Sequence, residues 1–464
     1  MKKKMDKKNY EIDMCNGPIL GKMLLFTIPL MFSSILQILF NAADVIVVGR
    51  FAGDNSLAAV GSTTSIIALL TNLFIGLSVG ANVLVARYYG AAKKKELSET
   101  VHTAMLLSAF SGIILTIVGC IGAKQILVLM STPEDVLPLA VLYLRIYFLG
   151  MTATMIYNFG SAILRAVGDT QRPLYYLIVA GIINVSFNLL FVIVFRMGVA
   201  GVATATVISQ SVSAFLVVRC LMHEESGIRL EIRQLHLDYH KFINILKIGL
   251  PAGFQGIVFS LSNVVIQSSV NSFGAIVVAG NSSAANIEGF VYFAMNAFYQ
   301  ASLSFTSQNV GAGKNERIGK VALCSQACVI IVGLVLGNAV VIFGRPLLGI
   351  YSSNEAVIEA GMTRLSVIAR TYALCGMMDV MVGSLRGMGY SVMPMIVSLI
   401  GACGLRILFV VTLFQIPALH SISALYFCYP VTWAVTFGVH LICYLWAKRR
   451  LLNKNLFQGV INGV

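Results

Sequence analysis

The sequence predicts an all-α polytopic membrane protein with 12 transmembrane helices in two pseudo-symmetric six-helix bundles, related as parallel repeats. Three observations predict it. The first is composition: of 464 residues, 58% are hydrophobic and only 11% charged, and the mean hydropathy is +0.85. A soluble domain carries about 25% charged residues. The second is segment length. Runs such as 182–195 and 329–343 lie within apolar segments of about 20 residues, the length that crosses a bilayer as helix; a β-barrel would show short alternating segments instead. The third is duplication. Leu164-Arg-Ala-Val-Gly-Asp-Thr-Gln-Arg-Pro173 returns 221 residues later as Leu385-Arg-Gly-Met-Gly-Tyr-Ser-Val-Met-Pro394. At the same offset Gly90-Ala91 answers to Gly311-Ala312, and Ser131 through Val136 to Ser352 through Val357. With one residue of drift, Pro29 answers to Pro251 and Asn41 to Asn263. Self-similarity at a fixed period marks a repeated structural unit.

Six helices fall in each half. The first set lies at roughly 20–48, 56–86, 100–129, 137–162, 174–195 and 199–222. The second lies at roughly 245–270, 276–306, 320–343, 356–384, 394–415 and 420–447. The chain therefore divides into an N-terminal lobe 1–222, a linker 223–244 and a C-terminal lobe 245–464. An even number of helices per half makes both halves enter from the same side. Two such lobes, related by an axis along the membrane normal and facing each other across a cavity, form an alternating-access architecture.

The net charge of +14 invites a nucleic-acid partner, but its distribution argues for a membrane instead. With a cytoplasmic N-terminus, the basic clusters all fall inside: Lys2–Lys8, Arg87 with Lys93–Lys95, Arg229/Arg233/Lys241, Lys314/Arg317/Lys320 and Lys448–Arg450. The opposite loops offer mainly Arg50, Arg196 and Arg345. That asymmetry is the positive-inside rule, and it places both termini in the cytoplasm of a multi-pass cell-membrane protein. No cleavable signal peptide is expected, because 9–22 is too polar for an apolar signal core. The nine cysteines are scattered through apolar segments with no metal-ligand spacing, as small buried hydrophobes are.

Taken in order, the first helix carries Pro29, which removes a backbone hydrogen bond and makes a candidate hinge. Beyond it, Gln37, Asn41 and Asp44 are spaced i, i+4 and i+7 and share one helix face. An Asp at mid-membrane costs about 2.5–3.5 kcal/mol, so Asp44 is the leading candidate for cation coupling. The alternative is a helix-end residue bonded to Arg50. The second helix ends in Ala86–Lys95, whose charges solvate a loop. Gly168-Asp169 and Pro173 are turn residues before the fifth helix, and Arg165 and Arg386 are expected to snorkel to lipid phosphates or cap helix ends. Asn184 and Asn188, again i and i+4, form candidate support for the cavity and its coupling site, with interhelical bonding as the structural alternative. His223, His236 and His240 of the linker lack a ligand pattern.

In the second half, Ile248-Gly-Leu-Pro251 answers to the Thr27-Ile-Pro29 stretch, and Pro251 is placed at a helix start. No acid matches Asp44. Glu288 and Asp379 appear instead, the latter in the slot of Asn158. With Asn263, Asn286 and Asn296 they form a candidate second-lobe site, able to supply oxygens to sodium if they converge; Asp379 could otherwise neutralise Arg364, Arg370 or Arg406. No resident metal or cofactor is expected: no HExxH, phosphate-binding loop or Ser/His/Asp pattern occurs. His102 and His440 are lone core residues.

Several stretches together resemble the multidrug and toxic compound extrusion (MATE) family of antiporters. They are Ile28-Pro29 with Asn41-Ala-Ala-Asp44 and Val48-Gly49, Leu57-Ala-Ala-Val-Gly61, Leu164-Arg165 with Gly168-Asp-Thr170, Gly198-Val-Ala-Gly201 with Ala205-Thr206, and Gln308-Asn-Val-Gly-Ala312. They spread over essentially the whole chain. The resemblance implies two six-helix bundles around a V-shaped cavity and exchange of drugs for protons or sodium. It places the family's first-helix Asp on Asp44. It also marks two departures: Asn188 stands where many members have a fifth-helix Asp, and apolar or hydroxyl residues near Ser260 stand where the sodium-coupled branch has a Glu. The coupling ion therefore stays open between proton and sodium.

The resulting expectation is a monomeric secondary antiporter, not an enzyme, that exports small organic cations and amphipathic drugs across the lipid bilayer. Proton and drug would compete for the charge of Asp44, in a pocket made adaptable by the chain's 19 Met and 26 Phe. The alternatives are a lipid-linked-precursor flippase of the same superfamily, which would need a cavity rich in Arg and Lys, and a membrane-embedded enzyme.

Overall fold

The structure, a computed structural model, describes residues 10–130, 132–224 and 227–461, with side chains as far as Asn453. The basic cluster Lys2–Lys8 and the repeat residue Ser131 lie outside the described residues. Among those described there is helix and loop and no strand. The helices are α1 (Ile19–Phe51), α2 (Asp54–Gly90), α3 (Lys94–Leu129), α4 (Leu137–Leu149), α5 (Met151–Ala166), α6 (Gln171–Leu189), α7 (Val199–Met222), α8 (Tyr239–Asn271), α9 (Ala275–Gly311), α10 (Asn315–Ile342), α11 (Gly344–Gly349), α12 (Glu355–Gly387), α13 (Val392–Ser398), α14 (Leu405–Val411) and α15 (Ile422–Ile461). A π-helical turn, Leu190–Val194, extends α6, and another, Leu399–Gly404, joins α13 to α14.

Ten of these helical runs are long and apolar enough to cross a membrane, and α4 with α5 makes an eleventh span bent by 46°. The expected single helix 137–162 is thus two, broken at Gly150. The remaining long helix, α9, has 37 residues but carries Asn281, Asn286, Glu288, Asn296, Gln300, Gln308 and Asn309. Its C-terminal half is almost wholly buried, so protein rather than lipid surrounds most of those groups, Asn286 excepted, and it need not be apolar to complete the twelve. Pro251 also departs from expectation: it lies inside α8, which begins at Tyr239.

The chain forms two compact units, 1–71 with 84–245, and 72–83 with 246–464. The middle of α2 thus groups with the second unit, and 223–245 with the first. In the first unit α3 packs on α4 and α5, α7 on α4, α5 and α6, and α6 on α1. The polar stretch after α7 is packed rather than merely solvated. Ile228 and Leu230 are buried, His102 Nε2 accepts from the Glu231 amide at 3.1 Å, and Asp238 N donates to Thr103 Oγ1 at 3.1 Å. His223 and His236 bond only to nearby backbone carbonyls.

In the second unit α12 is the hub, packing on α9, α10 and α15. His440 of α15 is fully buried against Ser398 Oγ at 3.0 Å. Residues 72–83 lie against α8 backbone to backbone: a Cβ on Gly253 would sit 2.3 Å from the Leu73 carbonyl oxygen, and one on Gly76 2.2 Å from Gly253 N. Small residues permit such contact between membrane helices, where there is no hydrophobic drive to association. Gly253→Ala forces the two backbones apart and is expected to destabilise the protein by about 1–3 kcal/mol, as overpacking does. A lower melting temperature of the detergent-solubilised variant checks this, and an unchanged one would contradict it.

Candidate functional site

The first unit gathers three of its polar side chains around one carboxylate. Asp44 of α1 is 8% exposed. Asn188 of α6 donates from Nδ2 to Asp44 Oδ1 and to Asn184 Oδ1 at 3.1 Å. Thr206 Oγ1 of α7 lies 3.4 Å from Asp44 Oδ2 as donor and accepts from Asn184 Nδ2 at 3.3 Å. The spacing of Asn184 and Asn188, one helical turn, stacks the two amides on the face of α6 turned to α1 and α7. Close approach of α6 to α1 is possible because Gly181 has no Cβ, which would otherwise penetrate the Phe40 ring.

Among the described residues no Lys, Arg or His nitrogen lies within ion-pair distance of Asp44. Arg50, its alternative partner, is exposed and at the end of α1. The carboxylate is therefore buried with neutral donors only, an arrangement in which the charge is poorly compensated and open to a proton, a metal ion or an organic cation. Asn188 Oδ1, also buried, has no hydrogen-bond partner. Gln37 and Asn41, expected to share this site, have exposed side chains and no hydrogen bond to Asp44. One face of a straight helix is wider than one binding site: Asp44 turns into α6 and α7, while its neighbours a turn or two earlier do not. Thr206 is the member that sequence spacing missed. An isolated hydroxyl in an apolar helix signals little without knowing which helices touch.

The second unit holds a cavity of about 710 Å³. Asp379, Asn263, Asn296 and Ser260 line it, and so do Arg364, Arg386 and Arg406. Glu288 does not join a cation site there. It is 2% exposed and clamped by Arg364, whose Nη2 lies 2.8 Å from Oε2 and whose Nε lies 3.1 Å from Oε1. Arg364 Nη1 donates to Asn281 Oδ1 at 2.7 Å, which also accepts from Tyr426 at 3.0 Å. Asn286 is exposed on another face of α9, since two residues along a helix turn the side chain about 200° away. The expected convergence of Glu288, Asp379, Asn263 and Asn286 is thus not what the chain forms: Asp379 and Asn263 share the cavity wall, Glu288 closes an ion pair and Asn286 faces away. Nor does Asp379 neutralise an arginine by direct contact. No ion pair to it exists among the described residues, and Arg370 is exposed.

Arg386 also departs from expectation. It is buried rather than snorkelling, and donates to Tyr299 Oη and Gln255 Oε1, each at 2.8 Å. Among the described residues no three His, Cys, Asp or Glu side chains group as metal ligands.

A family model described as MatE matches the chain twice, over 29–190 and 251–412. The two matches begin at the repeat-related Pro29 and Pro251. The chain is 27% identical over 441 residues to the probable multidrug resistance protein YoeA of Bacillus subtilis, covering 92% of this chain and 94% of that protein. It is 30% identical over 394 residues to YpnP, a second probable multidrug resistance protein of that organism, covering 85% and 88%. Among solved structures, the outward-facing conformation of a multidrug resistance MATE family transporter has a TM-score of 0.88 at 20% identity, over 97% of this chain and 99% of that one.

The Glu288–Arg364 pair makes its own prediction. Removing one partner strands a buried charge at about 3–5 kcal/mol. Glu288→Gln and Arg364→Gln should each lower the melting temperature sharply, and the double variant should recover part of the loss. Additive losses would show that the pair is not coupled.

Proposed function

Because the chain belongs to the MatE family, we propose that it is a secondary active transporter. It exports amphipathic organic compounds, organic cations among them, in exchange for a proton or sodium ion, and works as a monomer in the cell membrane with both termini in the cytoplasm. The observation that carries this reading is Asp44: a buried carboxylate held by two neutral hydrogen-bond donors, with no cation within ion-pair distance among the described residues. The relatives' names support drugs as cargo, and the basic clusters support the orientation.

Ion and cargo exclude each other at this carboxylate. Ionised, Asp44 holds the donors of Asn188 and Thr206 and attracts a cation from the cytoplasm. Protonated, it becomes a donor itself and needs an acceptor. The buried, unpartnered Asn188 Oδ1 supplies one if the carboxamide turns over. One proton thus changes the bonding between α1, α6 and α7. Sodium could act at the same place through the oxygens of Asp44, Asn184, Asn188 and Thr206. A ligand shifts a conformational equilibrium only by its difference in affinity for the two states, and this exchange of bonds supplies such a difference. A flippase for lipid-linked precursors has less support, since the relatives named above are probable multidrug resistance proteins.

The test is ethidium efflux from proteoliposomes under separately imposed proton and sodium gradients. Wild-type protein should export under one of them. Asp44→Asn should lose gradient-driven export at least about a hundredfold, as expected when a coupling charge worth about 2.7 kcal/mol or more is removed, while remaining folded by size-exclusion chromatography. Unimpaired export by Asp44→Asn would sink the coupling role.

Pro29 is the joint in this scheme. It lies inside α1 and leaves the carbonyl of Leu25 without its usual helical donor. Pro29→Ala should keep ethidium binding but slow efflux and weaken its dependence on the gradient. Wild-type efflux in that variant would make Pro29 architecture only.

A further inference from the structure

The second-unit cavity holds more positive charge than its own acids answer. Arg364 is closed on Glu288. Of the other lining charges, Arg386 and Arg406 are cationic and Asp379 is acidic, which leaves a formal excess of one positive charge. Neither Arg386 nor Arg406 has a carboxylate within ion-pair distance among the described residues, although they are 5% and 2% exposed. A buried guanidinium without a counter-charge is expensive in any interior and more so at bilayer depth.

Arg406 is the less satisfied of the two. Nε donates to Thr432 Oγ1 at 3.2 Å, and the guanidinium lies 4.1 Å from the Tyr429 ring centre and 5.6 Å from that of Trp433. Its Nη2 is buried with no hydrogen-bond partner. Arg386 uses both terminal nitrogens on neutral acceptors and leaves Nε unpartnered. The walls beside Arg406 are aromatic: Tyr372 and Tyr429 meet Trp433 edge-on, with ring centres 5.3 and 5.6 Å apart. A planar fork of donors matches a carboxylate or phosphate, and an aromatic wall matches a flat apolar body.

We infer that the second-unit cavity is an anion-selective subsite, in which Arg406 takes the carboxylate or phosphate of a flat aromatic amphipath that packs against Trp433. This rests on the reading of the protein as a transporter of organic compounds, and gives that cargo a negative group which Asp44 could not bind. Zwitterions and anions, not cations alone, are then substrates.

Trp433 makes the inference measurable. The chain has two tryptophans, and the other, Trp446, does not line the cavity, so Trp446→Phe leaves a single reporter in the site. Fluorescence quenching of this protein in phosphatidylcholine nanodiscs is titrated with 2-naphthoate and with its neutral isostere 2-naphthamide. The expected result is at least about tenfold tighter binding of the naphthoate, or about 1.4 kcal/mol. Arg406→Gln should abolish that preference, and Arg406→Lys should retain part of it while matching Arg406→Gln in melting temperature. Equal binding of the two probes, or a preference unchanged in Arg406→Gln, would overturn the inference. So would loss of naphthoate binding when phosphatidylglycerol is mixed into the nanodisc, since the site would then hold a lipid headgroup. Ethidium efflux measured on the same preparations separates the two readings. Efflux without naphthoate preference removes only the anion subsite; preference without efflux under either gradient keeps the subsite and removes the exporter.

Discussion

Hydrocarbon offers no hydrogen bonds, so every polar group that a membrane helix carries inward must be satisfied by another part of the protein or by a ligand. The interior of this chain is arranged around that constraint. Many of its buried hydroxyls are satisfied within one helical turn, as when Thr63 Oγ1 donates to the Val60 carbonyl at 2.8 Å and Thr436 Oγ1 to Thr432 O at 2.6 Å. Such groups cost little and say little. The groups that cannot be satisfied locally are the informative ones, because they fix which helices must meet. Asp44 ties α1 to α6 and α7. Glu288, Arg364, Asn281 and Tyr426 tie α9, α12 and α15 into one network.

The duplicated halves meet the constraint by different chemistry. In the first unit the buried acid is answered by amides and a hydroxyl and stays uncompensated in charge. In the second, the buried acid is answered by a bidentate arginine and is electrically closed. The repeat is therefore conserved in helical path, with Pro29 and Pro251 at matching places, but not in electrostatics: Asn158 in the first copy is Asp379 in the second. A closed ion pair is a poor place for an exchangeable ion, since displacing the arginine strands a charge. An acid held by neutral donors is a good one. That contrast ranks Asp44 above Glu288 on geometry alone.

This also marks how far the sequence could be read. Composition, segment length and a 221-residue offset carry the all-helical, twice-repeated membrane fold, because each is a property of the chain summed over many residues. Asn184 and Asn188 were legible as a pair because helical spacing is local. Gln37 and Asn41 were grouped with Asp44 by the same local rule and lie elsewhere, since the rule says which residues share a face and not which neighbour that face meets. The break at Gly150 is not legible from sequence because a lone glycine is tolerated inside a helical pattern; close packing on Val207, whose Cγ2 would lie 2.9 Å from a Cβ there, is a tertiary fact. Arg364 with Glu288, 76 residues apart, and Thr206 with Asp44, 162 apart, are likewise invisible without the fold.

The same logic explains why α9 can be the least apolar of the long helices. A lone span must be apolar because lipid surrounds it. A helix enclosed by α10 and α12 is free of that demand, and can carry Glu288 toward Arg364 and place Asn296 and Gln300 on a cavity wall. Burial of its polar groups in turn requires α12 to lie close, and α12 does: a Cβ on its Gly383 would stand 2.7 Å from the Tyr299 carbonyl oxygen. Close packing thus comes first and polarity is permitted by it. Arg386, one turn beyond Gly383 on the same helix, can reach Tyr299 for this reason. The close packing of α9 on α12 and the polar cavity wall they share are two consequences of one contact.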